Sequence, residues 1–224
     1  MKRIITKTAD GSNTIFIPEW NENYHSKHGA IQEAMHVFIK MGLNHFLSQK
    51  QTINILEIGF GTGLNAFITA QIAYQNQVKI NYTGVEAYPV TLAEVAELDY
   101  PKQLGFETYF PENCFQKIHE SEWGKFVEIN PFFQLRKQQL KFQEIENKNE
   151  FDLIYFDAFG PRVQPDLWGV KILQKMYNSL KSEGKLVTYS AKGSVRRNMQ
   201  EVGFSIERLT GPPGKREMLR ATKS

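Results

Sequence analysis

The chain has 224 residues, 41% of them hydrophobic, with a formal net charge of +3 and a pI near 8.8. This excludes a fibrous or disordered chain, fits one globule with a sizeable core, and permits a nucleic-acid partner without requiring one. The single cysteine, Cys114, excludes an internal disulfide and multi-cysteine metal sites, and suits a reducing cytoplasm.

The N-terminus MKRIITKTADG lacks the apolar core of a signal peptide. No apolar run approaches the ~18 residues of a membrane span, so a soluble cytoplasmic protein is expected. Residues 1–30 are polar and aromatic, and DGSNTIFIPEWNENYHSKHGA reads as a short hairpin followed by a loop. In residues 31–47 the apolar positions Ile31, Ala34, Met35, Phe38, Ile39 and Leu43 have helical spacing. Residues 1–50 are therefore expected to form an extension packed on a domain at 51–224.

Strand and helix signals then alternate. Ile53–Ile58 is a β-branched run, read as a buried strand, and Leu64–Ala73 a helix. KINYTGVEA is a second strand, ending at Glu86; VTLAEVAEL and residues 112–120 are helices. PFFQLRKQQLKF contains a strand, and FDLIYFDAF is a strongly buried one. Residues 166–180 read as a helix, EGKLVTYS as a strand, and GSVRRNMQEVG as a helix stopped by Gly203. FSIERL and REMLRAT close the chain as strands joined by TGPPGK, a connection too short for a parallel crossover. Alternation of this kind predicts an α/β fold with a mostly parallel sheet covered on both faces.

Gly59, Gly61 and Gly63 lie between the first buried strand and its helix. Leu64 follows Gly63, at the position where the dinucleotide fingerprint G-x-G-x-x-G needs its third glycine, so that fingerprint fails. The pattern is Glu57-x-Gly59-x-Gly61-x-Gly63. Bare backbone lets a ligand approach, and the helix N-terminus offers free N–H groups to a carboxylate. Glu57 can attract an ammonium group, and Glu86 can accept two ribose hydroxyls. The simpler readings are a tight turn and a solvated strand end.

FDLIYFDAFGP places Asp157 at the carboxyl end of a buried strand, the edge at which open α/β sheets bind ligands. A carboxylate there can hold an alkylammonium and take its proton before the nitrogen attacks. Phe159 can wall such a pocket and favour a cation through its ring face. Loop capping by Asp157 and core packing by Phe159 are the alternatives.

The glycine pattern resembles motif I of S-adenosylmethionine-dependent methyltransferases. The element order resembles their class I, Rossmann-like fold, with a mostly parallel seven-stranded sheet and an antiparallel C-terminal strand. GFGTGLN, DAFGPRVQPDLW and SVRRNMQEVGF…GKREML together resemble the MnmC methyltransferase domain and its stand-alone MnmD relatives. YHSKHGAIQEAMHVFI is similar to that family's pattern at Tyr24, Ser26, Gly29 and Glu33.

The resemblance implies methyl transfer from S-adenosyl-L-methionine to the 5-aminomethyl group of wobble 2-thiouridine in tRNA. It implies Asp157 and Phe159 at the reacting centre. It places Tyr24, Glu57, Gly59, Gly61, Thr62, Gly63, Glu86 and Asp157 around the cofactor. Lys192, Arg196, Arg197, Lys215 and Arg216 are expected to form a basic rim for RNA phosphates. Trp168, Tyr24 and Phe159 are candidates for stacking on an extruded base, with core packing the alternative for Trp168.

The family's fused form adds an FAD-dependent oxidase domain, for which these 224 residues leave no room, so methyl transfer alone is expected. Two departures stand out. The family's Asp-Gly-Phe-Ala-Pro is Asp157-Ala158-Phe159-Gly160-Pro161 here, and its adenine-contacting Gly-Asp pair is replaced by QLRKQQLKF, where Gln138 or Gln139 can pair with the adenine edge. His25 and His28 have no third ligand near them in sequence, so no metal is expected. Cys114 lacks a basic neighbour that would make it reactive.

Overall fold

The computed structural model describes residues 2–105, 111 and 113–224. The chain opens with β1 (Ile4–Lys7), β2 (Asn13–Ile17) and β3 (Glu22–Asn23), a small antiparallel sheet. The expected hairpin is β2–β3; β1, pairing along β2, was not foreseen. A continuous helical stretch follows: α1 (Ala30–Ala34), a π-helical segment Met35–Leu43, and α2 (Asn44–Leu47). Gly42 lets this stretch lie close on the sheet, since a Cβ there would sit 3.0 Å from Val187 Cγ2.

The main sheet comprises β4 (Thr52–Ile58), β5 (Lys79–Val85), β6 (Phe126–Asn130), β7 (Phe133–Gln138), β8 (Phe151–Phe156), β9 (Leu180–Thr188), β10 (Phe204–Thr210) and β11 (Glu217–Lys223). Its order is β10-β11-β9-β8-β4-β5-β7-β6. Strands β7, β5, β4, β8 and β9 run parallel, while β11 and β6 are antiparallel to their neighbours. The sheet thus has eight strands rather than seven. The extra one, β6, is a short edge strand folded back on β7, with a bulge between Glu128 and Asn130.

Helices α3 (Leu64–Asn76), α4 (Leu92–Ala96), α5 (Tyr100–Leu104), α6 (Cys114–Glu120), α7 (Val170–Ser179) and α8 (Gly193–Val202) complete the fold. The sequence showed no sign of α5, and Glu112, the expected start of α6, lies outside the described residues. The helix expected over 166–180 is divided at Gly169. A 3₁₀ turn spans Pro165–Trp168, α7 begins at Val170, and the chain passes directly into β9 at Leu180. Gly203, at φ 110°, stops α8 as expected.

Strand alternation sorts side chains onto two cores. Ile53, Ile55, Leu153 and Tyr155 face α3 and the N-terminal helical stretch, whereas Leu56, Ile58, Ile154 and Phe156 face α7 and α8. Glu57 and Asp157 have the parity of the first set, so both carboxylates belong to the face that α3 covers. The order of the sheet reverses between β4 and β8, the place where open α/β sheets form a ligand crevice.

Candidate active site

Successive strands end at this edge and each delivers one residue: Gly59 after β4, Glu86 after β5, Asp157 after β8 and Tyr189 after β9. They line a crevice of about 590 Å³, closed on one side by Tyr24 and Glu33 of the N-terminal segment. The strand ends are tied together: Asp157 N donates to Ile58 O at 2.9 Å, and Gly59 N to Val85 O at 3.1 Å.

Gly59 has φ +87°, and a Cβ there would lie 2.6 Å from the Asp157 carbonyl oxygen. Only glycine lets the β4 and β8 loops approach this closely. Gly61 and Gly63 also have positive φ, and Gly63 is the N-cap of α3. Glu86 holds the loop, accepting from Gly61 N at 3.0 Å and from Tyr88 N at 2.9 Å.

Beneath the loop, Asn65 Nδ2 donates to Glu57 Oε1 and to Asp157 Oδ2, each at 2.9 Å. Glu57 is 0% exposed. Burial pushes its carboxyl well above the usual range, and the nearby Asp157 adds to the effect against the Asn65 hydrogen bond. Burial, with repulsion from Glu33, pushes Asp157 up to about 7, while the Asn65 hydrogen bond and Lys215 pull against the shift. Two buried acceptors, Glu57 Oε2 and Asn65 Oδ1, have no hydrogen-bond partner among the described residues. The Tyr82 hydroxyl lies near Glu57 but outside hydrogen-bonding geometry. Asn65 lines the crevice while Glu57 lies beneath it, so Asn65 Oδ1 is the acceptor placed for the α-ammonium of S-adenosyl-L-methionine and Glu57 acts through Asn65 rather than by direct contact; Gly59, Gly61 and Glu86 fit the remainder of that cofactor.

Asn65 and Glu33 belong to the family motifs, but local sequence gives no signal of their chemistry, which arises from contacts with distant residues. Glu33 is 7% exposed, accepts from Ser26 N at 2.9 Å and pairs with Lys215. Gly29 precedes α1 beside the Asp10 carboxylate, where a Cβ would have no space.

Aromatic rings form one wall. Phe159 meets Tyr24 edge-on at 5.0 Å and Trp20 at 5.2 Å. Trp168 is not part of it: the ring is 2% exposed in the core, with Nε1 donating to Phe159 O at 2.8 Å. It supports the Asp157–Pro161 loop and cannot stack on a base. Gly160, the displaced glycine of that loop, has no positive φ, and a Cβ there would make ordinary contact with the Tyr189 hydroxyl at 3.6 Å.

Thr62 touches the crevice, but its hydroxyl accepts from Tyr100 at 3.2 Å and lies 3.4 Å from His25 Nε2, so it braces the loop from behind. Burial lowers His25 to about 4, leaving a neutral ring also bonded to Thr14. Gln138 and Gln139 do not line the crevice; Lys141, Phe142 and Gln143 do. Gln138 instead offers its backbone carbonyl to Glu86 N. Burial raises Cys114 to about 11, and its thiol donates to Ile129 O at 3.7 Å.

The basic residues separate into groups. Lys192 and Arg216 join Arg208, unforeseen from the sequence, around a neighbouring basin of about 620 Å³. Arg196 and Arg197 lie on α8 outside that basin. Lys215 is not simply a rim residue, because it lines both the basin and the crevice.

Residues 115–224 match the model of a family described as S-adenosyl-L-methionine-dependent methyltransferase. The chain is 27% identical over 210 residues to the tRNA 5-methylaminomethyl-2-thiouridine biosynthesis bifunctional protein MnmC of Leptospira borgpetersenii serovar Hardjo-bovis (strain JB197), covering 89% of this chain and 32% of that protein. It is 32% identical over 176 residues to the MnmC of Campylobacter fetus subsp. fetus (strain 82-40), covering 76% of this chain and 28% of that one. The chain thus spans about a third of the length of such relatives. Its fold is similar to the crystal structure of MnmC2 from Aquifex aeolicus, with a TM-score of 0.79 at 23% identity over 100% of this chain and 70% of that one. The spermidine synthase of Thermotoga maritima is more distant, with a TM-score of 0.53 at 16% identity over 100% and 73% of the two chains. The family match over residues 115–224 and the sheet order lead to one conclusion: this chain has the class I fold and is similar to S-adenosyl-L-methionine-dependent methyltransferases and, over most of its own length, to about a third of MnmC.

Proposed function

We propose that the enzyme methylates the aminomethyl nitrogen of 5-aminomethyl-2-thiouridine at the tRNA wobble position, forming 5-methylaminomethyl-2-thiouridine. The observation that carries this reading is Asp157, a crevice carboxylate pushed up to about 7, beside the loop suited to the cofactor. The relatives' names supply the nucleoside.

When bound, S-adenosyl-L-methionine supplies an electrophilic methyl group. Gly59, Gly61, Asn65 and Glu86 line the crevice and would hold it, with Tyr24 alongside; contrary to the sequence expectation, Glu57 lies beneath Asn65 and Gly63 caps α3 with its N–H on Phe60 O, so these two, like Thr62, support the loop from behind. An alkylammonium has no lone pair, so it must lose a proton before its nitrogen can attack. Asp157 binds the ammonium and takes that proton; a group titrating near neutrality suits both tasks. Tyr24 and Phe159 flank the amine and exclude water. The remaining work is alignment of the reacting atoms.

Lys192, Arg208 and Arg216 are the groups we assign to RNA phosphates beside the crevice, with Arg196 and Arg197 extending the track along α8. Because tRNA is the substrate, we place the enzyme in the cytoplasm. No helix among the described residues is long and apolar enough to cross a membrane. We treat residues 1–50 as an extension of the catalytic domain at 51–224.

The test is incubation with labelled cofactor and tRNA bearing the aminomethyl nucleoside, followed by nucleoside analysis. Labelled methylaminomethyl nucleoside is expected. Its absence at high enzyme concentration, with label passing instead to a small amine or a protein, rejects the assignment.

A further inference from the structure

Building on the amine-methylation reading, we propose that Glu33, Asp157 and the Tyr189 ring form a cage for one primary alkylammonium, and that the Lys215 ammonium fills it in the free enzyme and leaves when substrate enters.

The cage already holds such a group. Lys215 Nζ is ion-paired with Glu33 Oε1 and stands 3.9 Å from the centroid of the Tyr189 ring. Lys215 and Asp157 line the same crevice. A lysine side chain ends in CH₂–NH₃⁺, and so does a protonated aminomethyl arm. A carboxylate beside an aromatic face favours either cation by the same charge and cation–π terms. One ring face seats one cation, so occupation by lysine and by substrate is mutually exclusive.

The walls do not depend on Lys215. Glu33 is fixed by α1 and by the Ser26 N–H on its second oxygen. The Tyr189 hydroxyl donates to Ala158 O at 2.8 Å, locking the ring to the loop that carries Asp157. The cation is the movable part. Lys215 lies on the short connection between β10 and β11, and its side chain is 30% exposed. It is also shared with the basin lined by Lys192, Arg208 and Arg216. An RNA phosphate seated in that basin would draw the Lys215 ammonium out of the crevice as the base enters. Docking of the polynucleotide would then open the amine site, and a free amine would meet a site that lysine still occupies.

An occupied site lowers apparent affinity by the fraction of time that it is closed. The experiment is calorimetric titration of propylammonium into protein saturated with S-adenosylhomocysteine, for wild type, Lys215→Met, Lys215→Gln and Glu33→Gln. Retained S-adenosylhomocysteine affinity reports that a variant is folded, and Lys215→Gln serves if Lys215→Met is not. Loss of Lys215 is expected to tighten propylammonium binding about threefold or more. Glu33→Gln is expected to weaken it about tenfold or more. Equal or weaker binding in the Lys215 variants overturns the placeholder role, and unchanged binding in Glu33→Gln overturns the cage. No RNA is present, so a failed nucleoside assay would leave this result standing and the two failures are distinguishable.

Discussion

Asn65 joins Asp157 to Glu57 with a single amide, one hydrogen directed to each carboxylate at 2.9 Å. Both donors are committed, and the two acids are held on one face of the sheet with their acceptor oxygens fixed. Replacing Asn65 with leucine keeps the volume but removes the hydrogen bond of the buried Glu57, at a cost of roughly 1–3 kcal/mol, and that of the half-buried Asp157, at a smaller cost because the crevice gives it access to water. Cofactor affinity should fall about tenfold or more, since the Asn65 Oδ1 acceptor is removed outright and Glu57 loses the amide that orients it. Titration calorimetry and thermal melting measure the two effects, and wild-type cofactor affinity in Asn65→Leu would show the bridge to be incidental.

Asp157 makes stability depend on pH. Its carboxyl is raised from the ordinary 3.8 to about 7, with burial the largest cause. Between those values the folded protein keeps a proton that the unfolded chain releases, so stability falls as pH rises through the window. Asp157→Asn should therefore stabilise the protein at pH 8, by on the order of 2 kcal/mol and with a higher melting temperature, and leave stability unchanged at pH 4. The same variant should lose turnover while holding cofactor affinity within about threefold. In the wild type, kcat/KM should climb with pH up to about 7. Equal loss of turnover and cofactor affinity would mark Asp157 as a binding residue instead.

Gly59 tests the close approach of two loops. A methyl group at φ +87° is strained, and it would meet the Asp157 carbonyl at 2.6 Å. Gly59→Ala should lower cofactor affinity at least about tenfold and destabilise the protein by roughly 2–3 kcal/mol. Gly105→Ala is the control, having a positive φ but, among the described residues, nothing within 4 Å of the added methyl. It should cost only about 1 kcal/mol and leave binding unchanged. Equal effects at the two positions would refute the contact.

Charge reversal at Lys192 or Arg216 should raise KM for tRNA about tenfold and flatten its salt dependence, with cofactor affinity unaffected. Reversal at Arg196 or Arg197, outside the basin, should act in the same direction but more weakly. Filter binding across a salt series measures both. An unchanged salt slope in Lys192→Glu would remove the basin from the RNA path.

The sequence by itself determined the order of the parallel strands and of the helices α3, α4 and α8, the glycine loop after β4 and the acids that end β5 and β8. Each is a local signal: a β-branched run, glycines between strand and helix, or an acid closing a buried segment. Such patterns survive because a few neighbouring residues decide them, and the switch point then follows from the sheet topology. Strand β6 was not legible, because a short edge strand is held by its partner β7 more than by its own residues. Tertiary structure alone decided which of these acids share a bond and which basic residue enters the crevice. Asn65 and Asp157 are 92 positions apart, and Glu33 and Lys215 are 182 apart. Trp168 likewise became core because the chain broke at Gly169 and turned its ring beneath the Asp157 loop. Contacts across such separations form only when the whole sheet closes, so the chemistry of the site depends on long-range packing that no local pattern records.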